Sequence, residues 1–270
     1  MITTLFIFTL FSISQVWSQT IFNIEAKSGD ETYKGIVYKP EKSIKAVMLI
    51  SATIGGVDAL EEKNADYFSK HGYLVIIICP FKTEIYNPRP QTTQLDADYF
   101  KPVIAATVLV EAVDIKLKLK PTLPLFAIGA SQGGIYTIVQ ASHFPRIRGS
   151  WIAVAGGDLP HIYSQSVIKP VAEFRKNHMR ELKIDGVLHY EFYLQQNLKN
   201  DPLVSCQQLR SPVMQVIAKH DDVVPTESQE RLATECPPHD VMRINMNHGS
   251  GTLTLYVLRA KIKEYFDALI

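Results

Sequence analysis

The chain has no surplus of charge of either sign: 28 Lys and Arg stand against 27 Asp and Glu in 270 residues. With no basic run to neutralise phosphates and no acidic tail, nucleic acid is not an expected partner. Repeats at a fixed period and low-complexity tracts are missing too, and 14 Gly with 15 Pro are ordinary numbers for this length, which excludes solenoid, collagen-like and disordered chains. Cysteine is scarce, with Cys79, Cys206 and Cys236 at no metal-binding spacing. There is no His-Glu-x-x-His, no Cys/His cluster and no phosphate-binding glycine fingerprint, so no metal or cofactor is expected. What is present is a 46% hydrophobic and 20% charged composition, suited to one domain around one large core.

The start of the chain differs from the rest. Residues 5–13 are almost wholly apolar, follow Thr3 and Thr4, and precede Ser14, Val16, Trp17 and Ser18. That run is short for crossing a bilayer core, and Val16 and Ser18 put small residues at the positions a signal peptidase reads before Gln19. Residues 1–18 therefore read as a signal peptide, against the absence of Lys or Arg ahead of the run. An uncut anchor and a buried first strand are the alternatives. The domain over 19–270 is expected to be secreted or periplasmic, with no stable membrane insertion. An oxidising compartment allows three cysteines one disulfide. Cys79 ends the apolar run 74–78 and reads as a core thiol, which leaves Cys206 with Cys236 as the pair to test against three unpaired thiols.

Eight β-rich runs are expected, over 21–27, 34–38, 46–51, 73–79, 123–128, 150–155, 213–218 and 241–246. The last six are near-continuous Val, Ile, Leu, Met and Ala, as in strands covered on both faces, whereas the first two are more polar, as at an antiparallel edge. Helical periodicity occupies 59–68, 99–119, 132–143, 227–236 and 253–270, the last with a core stripe of Leu255, Leu258, Ile262, Tyr265, Phe266 and Leu269. Strand and helix alternate from residue 46, which right-handed crossovers turn into a mostly parallel sheet with helices on both faces. The alternation breaks at 156–212, where amphipathic pieces at 171–182 and 188–198 suggest a helical insertion.

The chemistry concentrates after the fifth expected strand, where Gly129-Ala130-Ser131-Gln132-Gly133 stands between an apolar run and a helix. Gly-x-Ser-x-Gly alone would occur in roughly one chain in ten of this length by chance. Between a strand and a helix it is the nucleophile elbow: Ser131 turns sharply in a strained conformation, and side chains two residues to either side would collide. A serine hydroxyl is a weak nucleophile and needs a base, ordinarily a His oriented by a carboxylate. The seventh strand runs into His220-Asp221-Asp222-Val223-Val224-Pro225, and the eighth into Asn247-His248-Gly249. Of the eight histidines only His248 follows the last strand, so Ser131, Asp221 and His248 are the candidate catalytic residues, in the order Ser, acid, His.

On these motifs the chain resembles the α/β-hydrolase superfamily of serine hydrolases, over about residues 21 to 270. The resemblance implies an α/β fold: an eight-stranded, mostly parallel sheet, helices on both faces, and the insertion at about 156–212 as a helical cap. In that family an acid commonly stands three residues before the Val of a Val-Pro pair, which favours Asp221 over Asp222. Asp158 is a third candidate, because some relatives carry the acid after the sixth strand. The oxyanion hole implied takes the N–H of Gln132 and one from the loop after the third strand, at Ile54 or its neighbour Thr53. Ala52-Thr53 replace the His-Gly of many relatives, which leaves that second donor open by one residue. The elbow is similar to those of small carboxylesterases and acyl-protein thioesterases, which lack a comparable insertion. The implied activity is hydrolysis of a small-molecule carboxylic ester or thioester through an acyl-serine. Acyl transfer, peptide hydrolysis with the same residues, and a non-catalytic binding module on the same fold remain the alternatives.

Overall fold

The computed structural model describes residues 20–52, 57–236 and 239–270. The leader expected over 1–18 lies outside the described residues, as do Thr53 and Ile54. Strands β1 (Thr20–Ser28), β2 (Glu31–Lys39), β3 (Ala46–Ser51), β4 (Tyr73–Ile78), β5 (Leu125–Ala130), β6 (Ile147–Ala153), β7 (Val213–His220) and β8 (His239–Asn247) form one sheet in the order β1-β2-β4-β3-β5-β6-β7-β8. β1 and β2 join through a tight turn in which Gly29 takes φ +59°, and the pairs β1–β2 and β2–β4 are antiparallel. Every other pair is parallel.

Helix α1 (Ala59–Lys70) follows β3, α2 (Thr92–Leu117) follows β4, and α3 (Gln132–His143) follows β5. Between β6 and β7 the chain forms no strand but four helices, α4 (Leu159–Gln165), α5 (Lys169–Leu182), α6 (Val187–Asn197) and α7 (Pro202–Ser205). α8 (Thr226–Glu235) follows β7, and α9 (His248–Thr252), α10 (Thr254–Val257) and α11 (Arg259–Asp267) close the chain. Among the described residues no helix is long and apolar enough to cross a membrane.

The period-two alternation of the buried strands divides the core. Val47, Leu49, Leu74 and Ile76 pack on the face covered by α2 and α3, while Met48, Ile50, Val75 and Ile77 pack on the face with Phe68 of α1 and Phe266 of α11. Each such fully buried side chain contributes about 1.5–3 kcal/mol. α1 starts where it does because the Asp58 carboxylate accepts the Leu60 N–H at 2.6 Å while Glu61 accepts the Asp58 N–H at 3.0 Å, a reciprocal cap.

Three elements depart from the sequence reading for a packing reason. α2 begins at Thr92 rather than near Tyr99 and carries Pro102 inside it; an interior proline costs about 3 kcal/mol, offset here by the burial of Leu95, Tyr99, Val103 and Leu109. β8, expected as a doubly covered strand, is the sheet edge, with Asp240, Arg243 and Asn245 exposed. The single helix expected over 253–270 is two short ones, α10 and α11: Leu253 and Val257 face solvent at the breaks, whereas Ile262 and Phe266 stay in the core. Cys206 and Cys236 are disulfide-bonded with Cα atoms 5.4 Å apart, tying the end of α7 to the end of α8, and Cys79 is free.

Candidate active site

Ser131 sits between β5 and α3 with φ 52° and ψ −127°, a left-handed conformation that costs a non-glycine residue about 1–3 kcal/mol. Neighbouring backbone holds it there: its N–H donates to the Ala153 carbonyl of β6 at 2.9 Å, and its own carbonyl accepts from Gly134 and Ile135 at 3.0 Å. The flanking glycines are sterically required. A Cβ on Gly129 would strike the Gly133 carbonyl, and one on Gly133 would strike the carbonyl of Ser51. The second contact also shows that the strand end carrying Ser51 and Ala52 passes directly over the first turn of α3.

Asp221 and His248 arrive from the carboxyl ends of β7 and β8. His248 is the first residue of α9, whose N-terminus is capped by the Asn247 side chain accepting the Ser250 N–H at 3.1 Å. Its Nε2 lies 2.9 Å from Ser131 Oγ, and its Nδ1 lies 2.8 and 3.0 Å from the Asp221 carboxylate oxygens. Asp221 is buried and accepts three further hydrogen bonds, from Val223 N–H at 3.0 Å, Val224 N–H at 2.9 Å and Gln229 Nε2 at 2.9 Å. Those donors fix the plane of the carboxylate toward the imidazole. A carboxylate on Nδ1 leaves Nε2 as the acceptor, so the ring can take a proton from Oγ.

The other candidates stand elsewhere. Asp222 is exposed, and its carbonyl accepts the Val167 N–H at 3.3 Å. Asp158 pairs with Arg231 and caps α4 at the His161 N–H. Among the histidines, His71 bonds the Tyr67 carbonyl, His220 bonds Asn245, and His143 stacks edge-on against Phe100. Gln132 begins α3, where helix N–H groups have no intrahelical acceptor and the dipole favours negative charge. Among the described residues no group of three or more His, Cys, Asp or Glu could hold a metal ion.

One supporting residue was not read from the sequence. Gln229 in α8 is wholly buried; besides Asp221 its amide nitrogen serves the Val224 carbonyl at 2.8 Å, and its oxygen accepts the Ala218 N–H at 3.2 Å. Its neighbours Glu227, Glu230 and Arg231 give that helix a solvated character in sequence, and nothing marks this one amide as internal.

A mostly parallel eight-stranded sheet with an antiparallel start, helices on both faces and a strained serine between its fifth strand and the next helix is the α/β-hydrolase fold, and this chain has it. Solved structures of that fold superpose on nearly the whole chain. An acetyl xylan esterase from a Paenibacillus species matches with TM-score 0.73 and 13% identity, over 100% of this chain and 90% of its own. Acetyl xylan esterase 1 from a Thermoanaerobacterium species matches with TM-score 0.68 and 12% identity, over 96% and 88%. An acylaminoacyl peptidase from Pyrococcus horikoshii matches with TM-score 0.67 and 15% identity, over 94% of this chain and 42% of the peptidase. At these identities the likeness establishes the fold. No family model and no curated protein sequence matches the chain.

Proposed function

We propose that the protein is a serine hydrolase that cleaves a carboxylic ester or thioester through an acyl-serine intermediate, with Ser131, His248 and Asp221 as its catalytic triad. The observation that carries this reading is the continuous relay from Ser131 Oγ to His248 Nε2 at 2.9 Å and from His248 Nδ1 to Asp221 at 2.8 Å. The esterases among the superposable structures favour an ester substrate, and the peptidase among them is in line with hydrolysis more broadly.

In the first half-reaction His248 Nε2 takes the Ser131 proton as Oγ bonds to the acyl carbon. The carbonyl electrons move onto oxygen, held by the Gln132 N–H and by a second donor expected from Ile54. Collapse breaks the bond to the leaving group, which takes the proton from His248. Water then repeats the sequence: it gives a proton to His248, attacks the acyl carbon, and Ser131 Oγ leaves with that proton. Asp221 holds the imidazole orientation and stabilises its cationic form while remaining ionised.

Export fits the same reading, since a Cys206–Cys236 bridge persists in an oxidising compartment and the leader expected over 1–18 directs the chain there. Turnover of p-nitrophenyl acetate by wild type and its loss by at least about 10³-fold in Ser131→Ala is the expected result. Equal turnover by the two proteins removes the assignment.

A further inference from the structure

Beside Ser131 lies a pocket closed by α4 and α5, with Ser131 and Gln132 on one wall and Tyr99, Ile162, Val171 and Val224 among the others. Its free space is about 30 Å³, room for roughly two to three water-sized atoms. A cavity of this kind suits the part of a substrate that stays attached to Ser131, because the leaving group has to meet His248 Nε2 and depart.

The pocket is small and apolar, yet one hydroxyl among its lining residues has no partner in the fold. Ser166, which lines it, is wholly buried and its Oγ has no hydrogen-bond partner. Its backbone, by contrast, is fully engaged: the N–H donates to the Ile162 carbonyl at 2.9 Å, and the carbonyl accepts from Arg175 at 3.2 Å. Arg175 also donates to the carbonyls of Tyr163 and Ser164 at 3.1 and 2.9 Å, so this chain segment is pinned with one hydroxyl unused. The two buried phenols of Tyr99 and Tyr163 meet at 2.8 Å in the same pocket. One proton makes that mutual bond, which leaves the proton of the accepting hydroxyl to donate to an added oxygen. Burial pushes both phenols well above their usual range, and both keep their protons as donors. A buried, unpartnered hydroxyl costs about 1–3 kcal/mol, which a bound acceptor would relieve.

We infer that this pocket selects a short acyl group bearing its own oxygen within a carbon or two of the carbonyl, a small hydroxyacyl or oxoacyl group, over a plain alkyl chain. Ser166 and the Tyr99–Tyr163 pair hydrogen-bond that oxygen, and the pocket's volume rejects longer chains. The inference rests on the serine-hydrolase reading above.

The test measures acid release at constant pH from methyl lactate, methyl 3-hydroxypropionate, methyl propionate and methyl hexanoate. Each kcat/KM is divided by that ester's own hydroxide-catalysed rate to remove intrinsic reactivity. At least one hydroxy ester is expected to exceed propionate about five- to tenfold, and propionate to exceed hexanoate by at least about tenfold. In Ser166→Ala the ratio of the preferred hydroxy ester to propionate falls toward one while thermal stability is unchanged or raised, because Ser166 Oγ bonds nothing in the fold. Hydrolysis with no hydroxy preference, or a ratio unmoved in Ser166→Ala, overturns the inference and leaves the hydrolase reading intact. No hydrolysis of any ester together with no fluorophosphonate labelling of Ser131 overturns both.

Discussion

At the rim of the sheet and in the helices between β6 and β7, the molecule fixes side chains by opposite means. Ser131 is held by backbone: a positive φ, the Ala153 carbonyl, and two glycines where a Cβ has no room. Asp221 is likewise set by the N–H groups of Val223 and Val224. In α4 to α6 the work is done by side chains, with Phe174 against Tyr163 and His178 at ring separations of 5.1 Å, and Tyr190 and Leu194 buried in the same cluster. Backbone positioning tolerates little sequence change and suits reacting atoms, whereas packed side chains can change size and polarity one at a time. On the proposed function, chemistry and selectivity are separable here: the rim would set whether an acyl group is transferred, and the helices which one.

Replacing the base should break the rim while sparing the helices. His248→Ala is expected to lose at least about 10³-fold in kcat, with an unfolding midpoint near that of wild type, read by ester turnover and thermal melting. The converse change is Phe174→Ala, which should cost about 3–5 kcal/mol in denaturant unfolding, while the folded fraction still reacts with a fluorophosphonate.

Titration separates the regions as well. Burial lowers the His178 pKa to about 4, with Glu84 acting weakly the other way, and the neutral ring bonds Thr92 at 3.0 Å and Tyr190 at 2.9 Å. The unfolded chain titrates near 6.5 and so binds more protons between the two values. Stability from this residue is therefore complete above about pH 6.5 and is lost as pH falls toward 4, by at most about 3 kcal/mol. Melting curves across that window should show the slope, and His178→Asn should flatten it.

The smallest effect is expected where the two regions' logic mixes, at Gln229, a side chain that orients the rim. Gln229→Met should lower kcat about tenfold with KM little changed, since a positioning group acts on the transition state. It should also shift the acid limb of the kcat/KM pH profile, which loss of packing alone would not move.

What the sequence makes legible follows the same division. The strands of the sheet centre announce themselves because both faces are buried, and Ser131 is visible because its conformation demands Gly129 and Gly133 at fixed spacing. Asp221 and His248 are visible because each follows a strand end. Features set by tertiary packing are not: the first turns of α2, from Thr92, show no helical period in the sequence until their burial is known, and β8 reads as doubly covered until its place at the edge is seen. Gln229 looks like any polar residue of a surface helix. Ser166 and the Tyr99–Tyr163 pair acquire meaning only when α2, α4 and α5 meet beside Ser131, since they are distant in the chain and carry no motif.

The most direct measurement is intact-mass and peptide mapping after treatment of the folded protein with a fluorophosphonate. A single adduct on Ser131, formed rapidly in wild type and abolished in His248→Ala, is the predicted result. An unmodified Ser131 in protein with a cooperative melting transition would contradict the serine-hydrolase reading.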